Sequence, residues 1–314
     1  MQGRCAPLLR HVVPLRGITD VVPELPEVET IVRQLAPRVA GRTLRAVEVL
    51  DPRWCAPVAP VEMARRLRGR AVRALHRRGK YIVWDLSGDL HLVMHLRMTG
   101  NLLYDPPQAP PHERVRLDLD DGHRLRFADQ RRFGTGQLAD GPEGLEAFLS
   151  ARLGLEPLHP AFTDEALGAL ARNRRAPAKA FLLDQRRIAG VGNIYADEAL
   201  FRAGIHPLRP AGRLTRSQLR SLRTAVVESL EAGIGAGGAT IDDFRDSEGV
   251  QGTFQDQFLV HRRAGEPCPR CGATVVKLVV AGRGTYVCER CQPRPRRAAV
   301  RRPAARAGGP RRRS

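Results

Sequence analysis

The sequence has few of the features that mark a membrane or secreted protein. Its 314 residues contain no apolar run close to the roughly 18 residues that a membrane-spanning helix needs. The first 22 residues are interrupted by Arg10, Pro14 and Arg16, which breaks up the apolar segment of a secretory signal. With 42% apolar residues, the chain still has enough material for compact cores. We therefore expect two or three folded domains, no membrane segment and a cytoplasmic location.

Lysine is almost missing from an otherwise very basic sequence. Only Lys80, Lys179 and Lys277 are lysines among the 52 Lys and Arg residues, and the net charge is +19. Residues 292–314 carry nine arginines and no acid. This surplus indicates a polyanionic partner, most simply nucleic acid, although a generally basic surface would give the same count. The three lysines are candidates for roles that need a compact charge or a deprotonatable amine.

Periodicity divides the chain into a β-rich part and a helical part. Apolar residues spaced by three and four predict an amphipathic helix over 24–39. Short β-rich runs follow up to about residue 138 and predict an antiparallel sandwich. Beyond about residue 150 the pattern is helical, with a capping box formed by Thr215 and Gln218. The β-rich runs include 71–76, 80–86, 90–96, 114–119 and 124–128.

Four cysteines near the C-terminus form two closely spaced pairs. Cys268 and Cys271 form the first pair, and sixteen residues separate it from the second pair, Cys288 and Cys291. Four thiolates at this spacing are typical of a closed tetrahedral zinc site with no open position for water, so we expect one structural Zn²⁺. Two disulfides are the alternative, which the absence of secretory features disfavours. The residues between the pairs alternate as in a β-hairpin, with Arg283 at its tip.

Several motifs follow one another in the order of a known family. They are PELPEVET at 23–30, RGKY at 78–81, HLRMTG at 95–100, DQRRFG at 129–134, GVGNIYA at 190–196 and GIHP at 204–207. Together with the cysteine hairpin they resemble formamidopyrimidine-DNA glycosylase, the bacterial repair family for 8-oxoguanine and ring-opened purines, over about 23–292. The resemblance implies an α+β multidomain fold: an N-terminal antiparallel β-sandwich with flanking helices, a helical helix–two-turn–helix domain and a C-terminal zinc-finger β-hairpin. The implied partner is double-stranded DNA with damaged bases, bound by a monomer associated with the nucleoid.

The resemblance assigns the chemistry to residues near three of these motifs. It implies that the nitrogen of Pro23, as a free N-terminal amine, attacks C1′ of the damaged nucleotide and forms an iminium that drives β- and then δ-elimination. Glu24 would act as acid and base at the sugar ring oxygen, with Glu27 as a second carboxylate, unless both are only N-terminal helix charges. Lys80 would lie near the scissile phosphates. The implied proton donors are Glu24, Lys80 and Arg283.

The resemblance also implies how a flipped base is replaced and covered. Met98, Arg131 and Phe133 match the three side chains that fill the space in the base stack, although Met98 and Phe133 could be ordinary core residues. Residues 237–260 look like the loop that covers a flipped 8-oxoguanine. We therefore expect oxidised purines as substrates, with an endonuclease VIII-like preference for oxidised pyrimidines as the alternative.

Three further residues are candidates for contacts with DNA. Lys179 matches a lysine near the lesion phosphate or base, unless it is a solvated helix lysine. Asn193 follows a glycine-containing turn that opens a helix, where amides can meet a phosphate. His112 matches a DNA-contacting histidine of the family within an irregular stretch. The Arg-rich tail is expected to be disordered and to add salt-dependent affinity for DNA.

One departure from the family pattern affects the chemistry directly. Twenty-two residues precede Pro23, and an amide-bonded prolyl nitrogen cannot form an iminium. Our hypothesis is that translation starts at Val22, from a GUG codon read as Met, and that removal of this Met frees Pro23. A transit peptide is one alternative. If Pro23 is not freed, the alternative function is that of a DNA-binding protein without catalytic activity.

The expected division of the chain has seven parts. They are an extension (1–22), the catalytic β-sandwich domain (23–138), a linker (139–152), the helix–two-turn–helix domain (153–235), the lesion-recognition loop with its connection (236–262), the zinc finger (263–292) and the Arg-rich tail (293–314).

Overall fold

A computed structural model of the protein describes residues 22–241 and 243–295. The expectations for residues 1–21 and for most of the Arg-rich tail lie outside the described residues. The helices are α1 (Leu25–Val39), α2 (Pro60–Leu67), α3 (Gly141–Ser150), α4 (Asp164–Ala171), α5 (Ala178–Leu183), α6 (Asn193–Arg202) and α7 (Arg216–Gly235). The strands are β1 (Leu44–Val49), β2 (Val72–Arg78), β3 (Tyr81–Leu86), β4 (Leu90–His95), β5 (Gly100–Tyr104), β6 (Glu113–Leu119), β7 (Arg124–Asp129), β8 (Thr135–Asp140), β9 (Val276–Val280) and β10 (Arg283–Val287).

The N-terminal part is an antiparallel β-sandwich. One sheet has the strand order β1-β6-β7-β5 and the other has the order β2-β3-β4-β8, and all registered pairs are antiparallel. Leu92 and Met94 of the second sheet share one core with Leu117 and Phe127 of the first. The predicted strands agree with the observed ones to within two residues at each end, because their alternating pattern reflects one buried face.

Helix α1 closes one side of the sandwich. Val28, Ile31, Val32 and Leu35 lie on its buried stripe and join the core of the sandwich, as the spacing of three and four predicts. The predicted helix over 24–39 is therefore confirmed, with Glu24 as its N-cap residue. Because the helix begins at the edge of this core, its first turn lies next to the helical domain.

Two helices were not expected from the sequence. Helix α2 lies within the predicted β-rich part, where its short apolar face buries Met63 and Leu67. The segment predicted as a linker (139–152) consists mainly of α3, whose Leu149 packs with Leu153 and Ala189. Both helices are short, and in both cases packing against neighbouring elements stabilises a segment with a weak helical signal.

The helical domain has its own core. It contains α4 to α7, and its buried residues include Phe181, Tyr195 and Leu230. The predicted capping box at the start of α7 is present, because Thr215 and Gln218 each accept a hydrogen bond from the other residue's backbone N–H. Within the described residues, none of the helices is both long and apolar enough to cross a bilayer.

Candidate active site and DNA-binding surface

A cavity of about 580 Å³ is lined by six of the eleven residues predicted for catalysis and DNA binding. It is lined by residues of the sandwich, of the helical domain and of the hairpin formed by β9 and β10. Val22 and Glu24 line it on either side of Pro23, which is buried. Further predicted residues that line the cavity are Lys80, Met98, Phe133, Asn193 and Arg283.

The start of α1 is fixed by backbone hydrogen bonds. The N–H of Glu24 donates to Glu27 Oε2 at 2.8 Å, and the N–H of Leu25 donates to the carbonyl of Gly190 at 3.0 Å. Pro26 has no N–H, and the first turn of a helix needs none at this position. These bonds hold the chain at Pro23 against the glycine-containing turn that precedes α6.

Glu24 lies at the N-terminus of two helices. It caps α1, and its Oε1 accepts the N–H of Ile194, in the first turn of α6, at 2.9 Å. The side chain is only 3% exposed. Burial raises the pKa of Glu24, while the positive charge of Lys80 and the N–H of Ile194 oppose this rise. A raised pKa favours the protonated form of the carboxyl group, which is the form that can act as an acid.

Glu27 lies behind Glu24 and is not part of the cavity lining. Its carboxylate accepts hydrogen bonds from the Glu24 N–H, from the Tyr195 hydroxyl at 2.8 Å and from the Ala239 N–H at 2.7 Å. Burial and then the charge of Glu24 raise the pKa of Glu27 to about 7. The structure therefore places Glu27 as a support for the start of α1 and for the loop that follows α7.

Lys80 lies in the tight turn between β2 and β3 and points towards Glu24. A Cβ atom added to Gly192 would clash with the Glu24 carboxyl group and lie 2.6 Å from Lys80 Nζ, so the two groups converge on this glycine. Burial lowers the pKa of Lys80, and the charges of Glu24 and Glu27 oppose the decrease. A lysine with a lowered pKa can give up and take back a proton more easily than an exposed one.

Asn193 and Arg283 come from different structural units and meet at the cavity. Asn193 is the first residue of α6, and its Nδ2 donates to the carbonyl of Gly284 at 3.1 Å, while its buried Oδ1 has no hydrogen-bond partner. Arg283 is exposed and begins β10, directly after the turn at Ala281 and Gly282. The hairpin therefore presents Arg283 as the sequence predicts.

Lys179 does not lie in the cavity. Its side chain is 0% exposed, and its amine forms an ion pair with Asp197 at 2.8 Å. The same amine donates to the Gly284 carbonyl at 2.9 Å and to Thr285 Oγ1 at 2.8 Å. The alternative of a solvated helix lysine is wrong, because the ammonium is fully enclosed. A direct contact with DNA stays a prediction that would require these bonds to break.

The three residues predicted to replace a flipped base lie on two neighbouring loops. Phe133 is 49% exposed, and the guanidinium of the exposed Arg131 lies 5.0 Å from the centre of its ring. Met98 is half-buried and lines the cavity next to Phe133. A single exposed apolar side chain is common on a protein surface, but Phe133 and Met98 both line the cavity, where they could meet a partner. These exposures disagree with ordinary core roles for Met98 and Phe133.

Asp129 organises the loop that carries Arg131 and Phe133. Its carboxylate accepts the N–H of Gly134 at 2.7 Å and the N–H of Arg131 at 3.2 Å. The carboxylate also accepts the hydroxyl of Thr99, so this buried acid joins the loop to the one that carries Met98. His112 is exposed at a distance from the main cavity, with a φ of +61°. It lines a separate cleft of about 290 Å³ together with Asp129.

Sequence reasoning assigned no role to His95, which lines the main cavity. Its Nδ1 accepts the N–H of Arg97 at 2.9 Å, so in the neutral ring the proton is on Nε2. Burial, followed by the charges of Arg97 and Lys80, lowers the pKa of His95 to about 3. The ring of Tyr81 supports it edge-on at 4.7 Å. The sequence offered one signal for this role, because His95 ends a strand directly before the loop that carries Met98.

The four C-terminal cysteines fit one zinc ion. Their sulfur atoms lie within 4.8 Å of one another, with Sγ–Sγ distances of 3.9 Å between Cys268 and Cys291 and 3.5 Å between Cys271 and Cys288. A tetrahedron with Zn–S bonds of about 2.3 Å has edges of about 3.8 Å. A disulfide would need about 2.05 Å, so the alternative of two disulfides is wrong.

Comparisons with known proteins agree with this geometry. Family models of the formamidopyrimidine-DNA glycosylase N-terminal domain, of its H2TH domain and of a zinc finger found in FPG and IleRS match residues 22–136, 153–245 and 265–294. The chain belongs to the formamidopyrimidine-DNA glycosylase family. With the zinc finger of this family and its four converging thiols, it binds one structural zinc ion.

Relatives and solved structures cover nearly the whole described chain. A formamidopyrimidine-DNA glycosylase of Chloroflexus aurantiacus is 48% identical and spans 86% of this chain and 98% of its own length. The crystal structure of MutM (FPG) from Thermus thermophilus is 44% identical, with a TM-score of 0.78 over 86% of this chain and 98% of that one. Lactococcus lactis Fpg in complex with DNA that contains an abasic site has a TM-score of 0.80 at 34% identity, over 86% and 100%.

Proposed function

We propose that this family member is a base-excision repair DNA glycosylase with AP lyase activity. It removes oxidised purines, such as 8-oxoguanine and formamidopyrimidines, from double-stranded DNA. The observation that carries the proposal is the convergence of the Glu24 carboxyl group and the Lys80 amine on Gly192, next to the buried Pro23. As a bacterial DNA repair enzyme it would work on the nucleoid in the cytoplasm.

The first chemical step is the displacement of the damaged base. The lone pair of the Pro23 nitrogen attacks C1′, the glycosidic bond breaks, and its electron pair leaves with the base, which takes up a proton. Loss of the amine proton and opening of the sugar ring give an iminium at C1′, and Glu24 supplies the proton that the ring oxygen needs. Burial raises the pKa of Glu24, which supports this role because it favours the protonated form that an acid needs.

The next steps break the DNA strand on both sides of the lesion. Loss of a proton from C2′ of the iminium expels the 3′-phosphate, and loss of a proton from C4′ of the resulting unsaturated iminium then expels the 5′-phosphate. We assign Lys80 as the proton donor at the first departing phosphate. Arg283, on the opposite wall, donates hydrogen bonds at the second. Neutral His95, with its Nε2–H, and Asn193 are placed to hold the DNA backbone while these bonds break.

Base flipping leaves a gap in the duplex that must be filled. We assign this role to Met98, Arg131 and Phe133, because two apolar side chains and a stacked guanidinium project from adjacent loops at the rim of the cavity. In this proposal Arg131 recognises the base opposite the lesion. His112, in its separate cleft, would contact the backbone further along the duplex.

The lesion class rests on the loop between α7 and β9. Its start is bonded to Glu27 through the N–H of Ala239, and Ser247 is bonded to Gln34 of α1 through its hydroxyl at 2.7 Å. These two bonds hold the loop along α1, and we assign it the recognition of a flipped base because residues 237–260 resemble the covering loop of the family. Lactococcus lactis Fpg structures contain DNA with Fapy-dG and, in one case, with an oxidised pyrimidine. Competition between duplexes with 8-oxoguanine and with an oxidised pyrimidine would decide the preference.

Borohydride trapping on an 8-oxoguanine·C duplex tests the chemistry. We would compare the 314-residue chain, a chain that begins at Pro23 and the same shorter chain with Glu24→Gln. We expect covalent capture of the chain that begins at Pro23 and no capture of the 314-residue chain, since an iminium needs a free secondary amine. The Glu24→Gln variant should be captured at least about 100-fold more slowly, the usual size of an acid–base contribution.

Other outcomes would separate the alternatives. If no chain is trapped although all bind the duplex, the protein is a DNA-binding scaffold. If the 314-residue chain is trapped with its full mass, another amine is the nucleophile, and the role of Pro23 is refuted. An intact mass that has lost the residues before Pro23 would support the proline mechanism.

A further inference from the structure

The turn that carries Lys80 is held by a residue outside the sandwich. Glu156 lies after α3, in the segment that enters the helical domain, and its side chain is only 12% exposed. Its carboxylate accepts Nη1 of Arg77 at 2.9 Å and Nη1 of Arg78 at 2.8 Å. It also accepts the N–H of Gly79. Three consecutive residues directly before Lys80 are thus bonded to one carboxylate.

The same turn has little freedom to move in other directions. Gly79 has a φ of +59°, and a Cβ atom there would lie 3.1 Å from both terminal methyl groups of Leu153. Arg77 Nη1 also donates to the Gly79 carbonyl at 3.0 Å, and its Nε donates to Glu29 at 2.7 Å. Because Arg77 is 8% exposed, its two ion pairs are shielded from water.

The segment that contains Glu156 also supports the opposite wall of the cavity. The N–H of Leu155 donates to the carbonyl of Arg187 at 2.9 Å, and the N–H of Ala189 donates to the carbonyl of Leu155 at 2.8 Å. Ala189 is followed by the glycine-containing turn that ends at Asn193. One short segment therefore joins the Lys80 turn on one side to the Asn193 turn on the other.

We propose that Glu156 is a positioning residue, which sets Lys80 relative to the Gly192–Asn193 wall across the boundary between the two domains. The proposal rests on the role of Lys80 in strand cleavage given above. Without Glu156, Arg78 loses its carboxylate partner and Gly79 loses its acceptor, while Arg77 keeps Glu29. The turn then loses its ion pairs to the segment that enters the helical domain and keeps the hydrogen bond from Arg78 Nη2 to the Gly154 carbonyl at 2.9 Å, so the Lys80 amine can move away from the departing phosphate.

A double-mutant cycle tests this coupling. The protein would be the zinc-loaded chain that begins at Pro23, and the readout would be the single-turnover rate of strand cleavage at a preformed abasic site. Glu156→Ala should lower this rate by about 10- to 100-fold, as expected for a misplaced catalytic group, with a smaller loss for Glu156→Gln. The affinity for the duplex should change by less than about threefold. The double variant with Lys80→Met should cleave no more slowly than Lys80→Met alone.

Glu146→Ala is the matched control, since Glu146 is an exposed acid on α3 that has no ion pair among the described residues. It should cleave at the unmodified rate. Additive losses in the double variant would show that Glu156 acts on stability in general and would overturn the proposal, as would an unchanged rate in Glu156→Ala. If Glu156→Ala does not fold, the same cycle with Glu156→Gln decides. An unchanged rate in Lys80→Met would instead refute the assigned role of Lys80.

Discussion

The junction at Lys80 and the junction at Lys179 each carry a lysine, but Lys80 is half-buried at the cavity whereas Lys179 is fully enclosed, and their amines have different partners. At the junction between β2 and β3, no hydrogen bond or ion pair of the described residues engages the Lys80 amine, although burial and nearby charges affect its pKa. At the junction between α5 and β10, the Lys179 amine has an ion pair with Asp197 and two further acceptors. The Lys80 amine can therefore accept a ligand, whereas the Lys179 amine already has three partners.

The different partners of the two ammonium groups indicate different roles for Lys80 and Lys179. An ammonium group inside a protein is costly unless it is paired, so an unpaired one beside a cavity is expected to gain its partner from the substrate. A fully paired ammonium instead joins structural elements. Lys179 ties the helical domain to Gly284 and Thr285, the two residues that follow Arg283, and so it fixes the hairpin next to the cavity.

Replacement of Lys80 should give the largest effect on activity. In the chain that begins at Pro23, Lys80→Met should slow strand cleavage at an abasic site by about 100-fold or more, because a positioned proton donor contributes about that much. Its free energy of unfolding should stay within about 1 kcal/mol of the unmodified value, since no hydrogen bond is lost. Single-turnover cleavage and urea unfolding measure the two quantities.

Lys277→Met is the control for this variant. Lys277 is the third lysine of the chain, is exposed on β9 and lies 5.7 Å from the centre of the Tyr286 ring. It should lose neither cleavage nor stability to a measurable degree. A large loss of stability in Lys80→Met, without a loss of activity, would break the comparison between the two junctions.

Replacement of Lys179 should reverse this pattern. Lys179→Met leaves Asp197 buried with His261 and the N–H of Tyr286 as its remaining partners among the described residues, and breaking a buried ion pair from one side costs about 3–5 kcal/mol. We expect a loss of that size in the free energy of unfolding, while zinc stays bound. Urea unfolding and zinc analysis measure these effects.

The control for Lys179 changes both partners of its ion pair. If the charge is structural, the double variant Lys179→Met with Asp197→Leu should recover part of the lost stability. Its base-excision rate should then recover with it. A variant that regains stability but still cannot bind lesion DNA would show that Lys179 contacts DNA directly, as the resemblance implies.

These two lysines also show how far the sequence could be interpreted. Lys80 lies in a motif of four residues, and its place between two predicted strands puts it in a tight turn. Lys179 is buried by residues more than a hundred positions away, at Gly284 and Thr285, and no local pattern reports such a contact. The zinc hairpin was predictable from cysteine spacing within a short segment and the sandwich from its alternating runs, whereas the roles of Lys80 and Glu24 came from the family resemblance.

The residues that sequence reasoning missed or placed only in part depend on contacts between segments. His95 belongs to a predicted strand, and only the fold shows that its ring faces the cavity with a neutral Nε2–H. Glu27 was recognised as a second carboxylate, but its position behind Glu24 follows from Tyr195 and Ala239. Helix α2 was missed because only packing of Met63 and Leu67 against the sandwich stabilises its eight residues.

Glu27 extends the comparison to a buried acid that forms no ion pair among the described residues, and we expect its replacement to act on the pH dependence of stability. Its pKa is raised from 4.5 to about 7, so the folded protein keeps a proton that the unfolded chain releases between these pH values. The free energy of unfolding should therefore fall as the pH rises through this range, by about 3 kcal/mol for this group. Glu27→Gln keeps the neutral shape and should remove this part of the pH dependence.

Urea unfolding at several pH values between 4.5 and 8 measures this slope, with Glu146→Gln as the control that should keep it. Below about pH 4.5 the Glu27→Gln variant and the unmodified protein should have similar stability, and above pH 7 the variant should be the more stable one. This sign is opposite to that of Lys179→Met, because Glu27→Gln removes an uncompensated charge instead of creating one. A Glu27→Gln variant that is less stable at pH 8 would show that the carboxylate form, bonded to Tyr195 and Ala239, is the one that the fold prefers.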